Sequence, residues 1–418
     1  TKPIDPAGLK LIEGALAKNL YPQRRCCSRA PRRSLFTAGL FASPLPIPLC
    51  ADRFSTMLIV DGHLDLAMNA LKENRDLLVN VWTTRVRESH DTAKGKGKST
   101  VSLEEMRRGR VALCFTTAHA FATTGRFIPH MDFGSPEQAF AVARGQLAYY
   151  EALERQGHAR IIRSAESLDD HMAEWTRWDT GDNPDPATSP PLGLVVSMEC
   201  ADALLDPAQL EDWWNWGLRL IGPAHSAEGR YAGGTGSASG LTDLGPPLLA
   251  EMQRLGIPLD LTHCSDAAFW ECLQHYEGPV LASHSNSRVL VPHQRELDDG
   301  QIQAILDRDG VIGVTLGNWQ LQYEWKCLGD NRHLRVMLER AVDHIDHICQ
   351  MAGDHLHVAI GSDLAGGVGT DEFPADLDTI AELQRFIELL DGRGYSAEAT
   401  EAILNGNWLR ILRDAWTD

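Results

Sequence analysis

Residues 60–70 read VDGHLDLAMNA, and the run leading into them begins at Met57 as MLIVDGHLD. A short apolar stretch passes directly into His63 and Asp65. Two ligand-type side chains therefore stand where a buried strand should be ending. Similar runs recur down the chain: VALCFTT (111–117), LGLVVSME (192–199), LRLIGPAH (218–225), IPLDLTH (257–263), PVLASH (279–284), GVIGVTL (310–316) and LHVAIGSD (356–363). They are short, rich in Val, Ile and Leu, and nearly continuous in hydrophobicity, as parallel strands covered on both faces are.

Between the runs lie helix candidates. Residues 135–157 open with a Ser cap followed by Pro at the first helical position. Residues 265–278 run from a Ser or Asp cap to a terminal Gly, and residues 331–355 carry a long 3.6-period apolar stripe. Eight strands alternating with helices predict a TIM (β/α)8 barrel, with a doubly wound open sheet as the rival.

Six of the eight runs finish in or beside a His, Asp or Glu: His63 with Asp65, Glu199, His225, His263, His284 and Asp363. In a barrel these ends converge on the C-terminal mouth, where active sites are built. Any one of these histidines alone would read as structural, but six coincidences at equivalent positions read as a site. Imidazole and carboxylate ligands without thiolates suit zinc or another borderline divalent ion. Six side chains are too many for one ion with an open position, so two ions are expected. Glu199, ending a central run, is the candidate bridge. Two cations about 3.5–4 Å apart polarise a carbonyl and bring a shared water towards neutrality.

The remaining groups take roles around that pair. Asp363 is the candidate proton acceptor and donor. His225, in the Gly-rich GPAHSAEGRYAGG, is placed to stabilise an oxyanion and contact substrate, and Tyr231 of the same loop is counted as a substrate contact. Arg295 is the candidate clamp for a substrate carboxylate, with Arg288 and Arg230 as competitors. Cys200 and Cys264 read as small buried side chains. His344 and His347 read as packing or surface residues, TAKGKGKST (92–100) as a solvated loop, EDWWNWGLRL as helical packing and residues 179–191 as a surface insertion.

Composition narrows the partners. The 418 residues carry a formal net charge of −18, which argues against nucleic acid or an anionic membrane surface. No uncharged apolar run reaches the length of a membrane span. The nine cysteines are scattered and form no CxxC pair, which favours a reduced, cytoplasmic chain. Residues 1–56 read as an N-terminal extension before a single barrel domain at 57–418. An arginine pair and a Pro-interrupted apolar stretch raise the alternative of export through a twin-arginine-like signal.

With these motifs assembled, residues 57–415 resemble the membrane dipeptidase (renal dipeptidase) family, in a bacterial-type form. The likeness rests on VDGHLDLA, SMECADAL, HSAEGRYAGGTGS, GLTDLG, LDLTHCSDAAFWE, ASHSNSRVLVPHQREL, IGSDLAGG and NGNWLRIL, in order. It implies a TIM (β/α)8 barrel of the metal-dependent hydrolase (amidohydrolase-like) type with a binuclear zinc site that hydrolyses dipeptides, including those with a C-terminal D-residue. One zinc would be held by His63 and Asp65 and the other by His263 and His284, with Glu199 bridging. His225 and Arg295 would bind substrate, and Asp363 would be the acid/base. Two departures stand out: Asn318-Trp319-Gln320 replaces an expected aromatic substrate contact, and Cys200 replaces the Gly common after the bridging glutamate. The chain ends at LRDAWTD without the hydrophobic tail of a lipid anchor. Dipeptides are the expected partners, and a homodimer is compatible with this reading. Two alternatives remain: another binuclear hydrolase acting on cyclic amides or N-acyl amino acids, and a catalytically silent binding barrel.

Overall fold

The computed structural model describes residues 56–122, 131–182, 184–326 and 334–416. The proposed N-terminal extension lies outside them, apart from Thr56. All eight expected runs form strands: β1 (Ile59–Leu64), β2 (Val111–Thr117), β3 (Leu192–Glu199), β4 (Leu218–Gly222), β5 (Leu259–Asp260), β6 (Val280–Ala282), β7 (Val311–Val314) and β8 (Val358–Ile360). Each is buried along its whole length, which explains their unbroken hydrophobicity. They pair in parallel and in chain order. The later strands are shorter than the sequence runs because the last residues of each run turn into the mouth.

The ends of the sheet approach each other through polar contacts. Asp363 N–H donates to the His63 carbonyl (3.2 Å), and Ser362 donates from both N–H and hydroxyl to the buried Asp61 carboxylate. The result is a nearly closed eight-stranded parallel barrel with helices around it, a TIM barrel. A ninth strand, Ala159–Ile161, fills the edge of β3 below the point where β4 begins to pair.

Helices around the barrel begin on serine caps, those at Ser135 and Ser265 as expected. Ser135 caps α1 (Pro136–Arg155), Ser164 caps α2 (Ala165–Asp179) and Ser265 caps α3 (Asp266–His275). The apolar stripe around residue 345 forms α4 (Glu339–Ala352). The closing NGNW motif opens α5 (Asn407–Ala415) and places Trp408 inside the barrel. Its indole N–H donates to the Ile360 carbonyl (2.9 Å), and its ring tilts against Phe115 at 4.9 Å. Gly62 and Gly313 make room for it: a Cβ there would lie 2.5 and 2.8 Å from the indole.

One loop differs from expectation. Residues 92–100 are tied down rather than merely solvated. Lys96 pairs with Glu73, Lys98 pairs with Asp371, and the buried Thr100 hydroxyl donates to the Leu364 carbonyl. Its basic residues answer acidic neighbours in the β8 loop and after β1, so this segment supports the mouth. Among the described residues no helix is long and apolar enough to cross a membrane.

Candidate metal centre at the barrel mouth

The strand ends bring His63, Asp65, Glu199, His225, His263, His284 and Asp363 together, and Glu199 is their hub. Its Oε1 lies 3.1 Å from His263 Nε2, 3.4 Å from His284 Nε2 and 3.7 Å from His225 Nε2. Its Oε2 lies 3.8 Å from His63 Nε2, which in turn is 3.9 Å from both Asp65 Oδ1 and Asp363 Oδ1. The rings stack as well: His63 on His284 at 3.7 Å and His225 on His263 at 4.0 Å.

Outer contacts aim these ligand atoms. The Ser283 hydroxyl lies 2.9 Å from His284 Nδ1, and the Thr235 hydroxyl lies 3.2 Å from His263 Nδ1. Both rings are thereby turned with Nε2 towards Glu199, as outer-shell partners orient metal-binding imidazoles. The Thr117 hydroxyl, at the end of β2, donates to Asp65.

The backbone is also held unusually. Cys200, His263 and Asp363, at the ends of β3, β5 and β8, have φ of 70°, 68° and 58°. Non-glycine residues reach this region at a cost of order 1–3 kcal/mol, and such positions cluster at functional sites.

The electrostatics call for positive charge. Burial would push His63 down, but the charges of Glu199, Asp65 and Asp363 override it and hold the ring up at about 10. Glu199, despite burial, is kept well below the carboxylate range by His225 and His63. Burial pushes His225 down to about 4 and holds His263 and His284 well below the usual imidazole range, as neutral rings. Neutral imidazoles around carboxylates are the donor set of a divalent cation. Nitrogen atoms of His63, His119 and His225 are buried without a hydrogen-bond partner. Ligand atoms within 4.8 Å of one another form four overlapping triads: His63–Asp65–Glu199, Glu199–His263–His284, His63–His284–Asp363 and His119–Glu199–His225. These residues fit bound metal.

Asp363 is half-buried, and burial pushes its carboxyl up to about 7, with repulsion from Asp65 and Glu199 adding to the effect. Arg295 is buried, donating to the Ser285 hydroxyl (3.1 Å) and the His284 carbonyl (2.6 Å). Its charge bears on His225, His263, His284 and Asp363. Its competitors are committed elsewhere. Arg288 makes a two-pronged pair with Asp266, and Arg230 donates to the carbonyls of Asp202, Leu204 and Leu205.

Tyr231 requires a correction. It is fully buried and its hydroxyl donates to the Leu204 carbonyl (3.1 Å), so it braces the Gly-rich loop and has no surface to offer a substrate. In the Asn318-Trp319-Gln320 stretch, Asn318 and Gln320 are buried and Trp319 is the exposed member, edge-on to His293 at 5.3 Å. Burial of Cys200, and contact with Cys272 for the buried Cys264, hold both thiols well above the usual range, which leaves them unsuited as nucleophiles. His344 is buried and accepts from Ser287 N–H, while His347 meets Asp299 at the surface. The sequence reading missed His119, two residues past the end of β2, whose Nδ1 is 3.0 Å from Glu199 Oε2. The signal was present in TTAHA, had the run been followed into its loop as LRLIGPAH was.

Residues 52–417 match the family model described as membrane dipeptidase (peptidase family M19). A Klebsiella pneumoniae protein described by its position in the pqqA 5′ region is 34% identical over 234 residues, covering 54% of this chain and 83% of that one. Human dipeptidase 3 is 31% identical over 177 residues, covering 42% of this chain and 34% of its own length. Among solved structures, a Rhodobacter sphaeroides metallopeptidase liganded with a phosphinate mimic of the dipeptide L-Ala-D-Ala superposes with a TM-score of 0.68 at 25% identity. That likeness covers 86% of this chain and all of that one.

Proposed function

The chain belongs to the membrane dipeptidase family, and on that premise we propose that it hydrolyses free dipeptides with two zinc ions at the barrel mouth, bridged by Glu199. The observation that carries this reading is the division of Glu199. One carboxylate oxygen faces His263 and His284, and the other faces His63 with Asp65 beyond it. A single ion would leave one of these sets without a task. When bound, a pair of such ions supplies Lewis acidity and an activated water.

The chain's own residues supply the rest. Arg295, buried against Ser285 and the His284 carbonyl, grips the free C-terminal carboxylate of the substrate. His225, held neutral, donates an N–H to the oxygen that gains charge as the carbonyl carbon is attacked. Asp363, poised near neutrality, takes the proton from the attacking water and delivers it to the leaving amine. Gripping a carboxylate fixes length rather than side chain, so a D-residue at the C-terminal position is accepted as well. The phosphinate bound to the Rhodobacter sphaeroides relative, a mimic of L-Ala-D-Ala, supports that extension.

A library of L,L- and L,D-dipeptides, each with an amidated control, tests the reading. Free dipeptides are cleaved and amides are poor substrates, while Arg295→Met raises KM for free dipeptides far more than for amides. Equal cleavage of free and amidated forms refutes the carboxylate grip. Metal without any dipeptide turnover points instead to a hydrolase of cyclic amides or N-acyl amino acids.

A further inference from the structure

His119 has no part in the two-metal assignment above, yet it is built into the mouth with care. Gln146 of α1 clamps its backbone from both sides: His119 N–H donates to Gln146 Oε1 (2.6 Å), and Gln146 Nε2 donates to the His119 carbonyl (2.8 Å). One residue earlier, Ala118 N–H continues the β2–β3 ladder by donating to the Ser197 carbonyl. The ring is fixed edge-on by Phe121 at 4.6 Å and by His225 at 4.9 Å. This is a rigid mount for one imidazole, 2% exposed.

The mount delivers Nδ1 to 3.0 Å from Glu199 Oε2, the oxygen on the side of His63 and Asp65. Both ring nitrogens are buried without a hydrogen-bond partner. A neutral imidazole has one donor and one acceptor nitrogen. Pairing Nδ1 with Glu199 alone would still leave the other nitrogen orphaned, at a cost of order 1–3 kcal/mol. Two ligand atoms about 3 Å apart are also what two corners of one coordination sphere present, given zinc–nitrogen and zinc–oxygen distances of about 2.0–2.2 Å.

We propose that His119 is a metal ligand, binding beside Glu199 Oε2, the carboxylate oxygen that also faces His63. The affinity of one of the two ions should then depend on His119. This inference rests on the two-metal reading.

Calorimetric titration of the metal-free protein with zinc tests both. The natural chain binds two ions in two resolved steps. His119→Phe and His119→Gln each weaken one step by at least about tenfold, the lower end of losses seen even for outer-shell partners, and leave the other unchanged. His119→Gln keeps an N–H for Glu199 but no imidazole, so two steps of natural affinity in that variant overturn ligation while leaving the two-metal reading intact. No zinc binding by the natural chain overturns both. A second readout needs no variant. In the fully cobalt-loaded protein, four imidazole N–H resonances show metal-induced shifts if His119 ligates alongside His63, His263 and His284. Three such resonances refute it.

Discussion

His171 and His119 are both buried histidines reached from strand β2, one against its start and one just past its end. His171, on α2, lies 2.9 Å from the Ala112 carbonyl through Nε2 and 3.4 Å from Arg160 through Nδ1. One neutral tautomer satisfies both nitrogens. Even the neighbouring strand yields to it: a Cβ on Gly193 would lie 2.5 Å from Nε2. His119, like His63 and His225, has nitrogen atoms that the protein leaves unpaired. Burial is common to both histidines, and satisfaction separates them. His171 finds partners for both ring nitrogens within the chain, while His119 at the mouth leaves both for something that is not protein.

The hardest way to break the mouth is to neutralise its hub. Glu199→Gln removes the anion that both histidine sets face, so both metals are lost and dipeptide turnover falls to background, read by metal analysis and by rate. Asp363→Asn separates chemistry from coordination: metal content stays and kcat falls by about 10²–10⁴, the usual range for general acid–base catalysis. Loss of metal along with rate in that variant would make Asp363 a ligand instead.

The contrast also explains what sequence alone revealed. All eight strands were legible because strands buried on both faces write themselves as unbroken apolar runs. Seven residues that meet at the mouth were legible because they stand at or beside the ends of six of those runs. His119 was missed because the β2 run was read only to Thr117, whereas LRLIGPAH was followed into its loop; the Gln146 clamp that aims it is distant in sequence. Tyr231 was misread for a related reason. A Gly-rich loop near a site suggests exposure, but whether a tyrosine in it faces in or out depends on the packing beneath, here the Leu204 carbonyl. Arg295 was separable from Arg288 and Arg230 only by their partners, Asp266 for one and three carbonyls for the other.

A second test sharpens the comparison through pH, in the metal-free protein. Burial holds His171 down at about 4. Between that value and the unfolded value of about 6.5 the unfolded chain binds more protons, so stability falls as pH falls through this window. The loss from His171 is on the order of 2–3 kcal/mol, and His344 and His225 add their own in the same window, so the variant's difference from the natural chain is what isolates it. His63 runs the other way. Its folded value of about 10 lies above the unfolded one, so its contribution is full below about 6.5 and is lost as pH rises towards 10. Urea midpoints measured across pH should show a shallower acid limb for His171→Gln and a shallower alkaline limb for His63→Gln. The same limb flattening in both variants would erase the distinction between flank and mouth.

The smallest effect concerns two cysteines, and it isolates the backbone from the side chain. Cys114 lies within β2 and Cys200 follows β3 directly, both buried. Cys200 has φ of 70° and ψ of 114°, a conformation that a Cβ disfavours, whereas Cys114 is not among the residues with positive φ. Truncating either thiol to Ala removes the same sulfur and keeps the Cβ. Going on to Gly removes the Cβ too, which ordinarily costs about 0.4–1 kcal/mol through the freedom gained by the unfolded chain. At Cys114 that order should hold, with Ala the more stable. At Cys200 relief of the backbone should reverse it, leaving Gly ahead of Ala by about 1 kcal/mol. Metal content and turnover should be alike in the two Cys200 variants, since neither touches Glu199 itself. The Gly expected at this position from family resemblance thus has a physical reason, a φ that only glycine adopts without strain. If denaturant midpoints place Ala ahead of Gly at both positions, the strand end carries no strain, and the positive φ at His263 and Asp363 loses its meaning as a mark of the site.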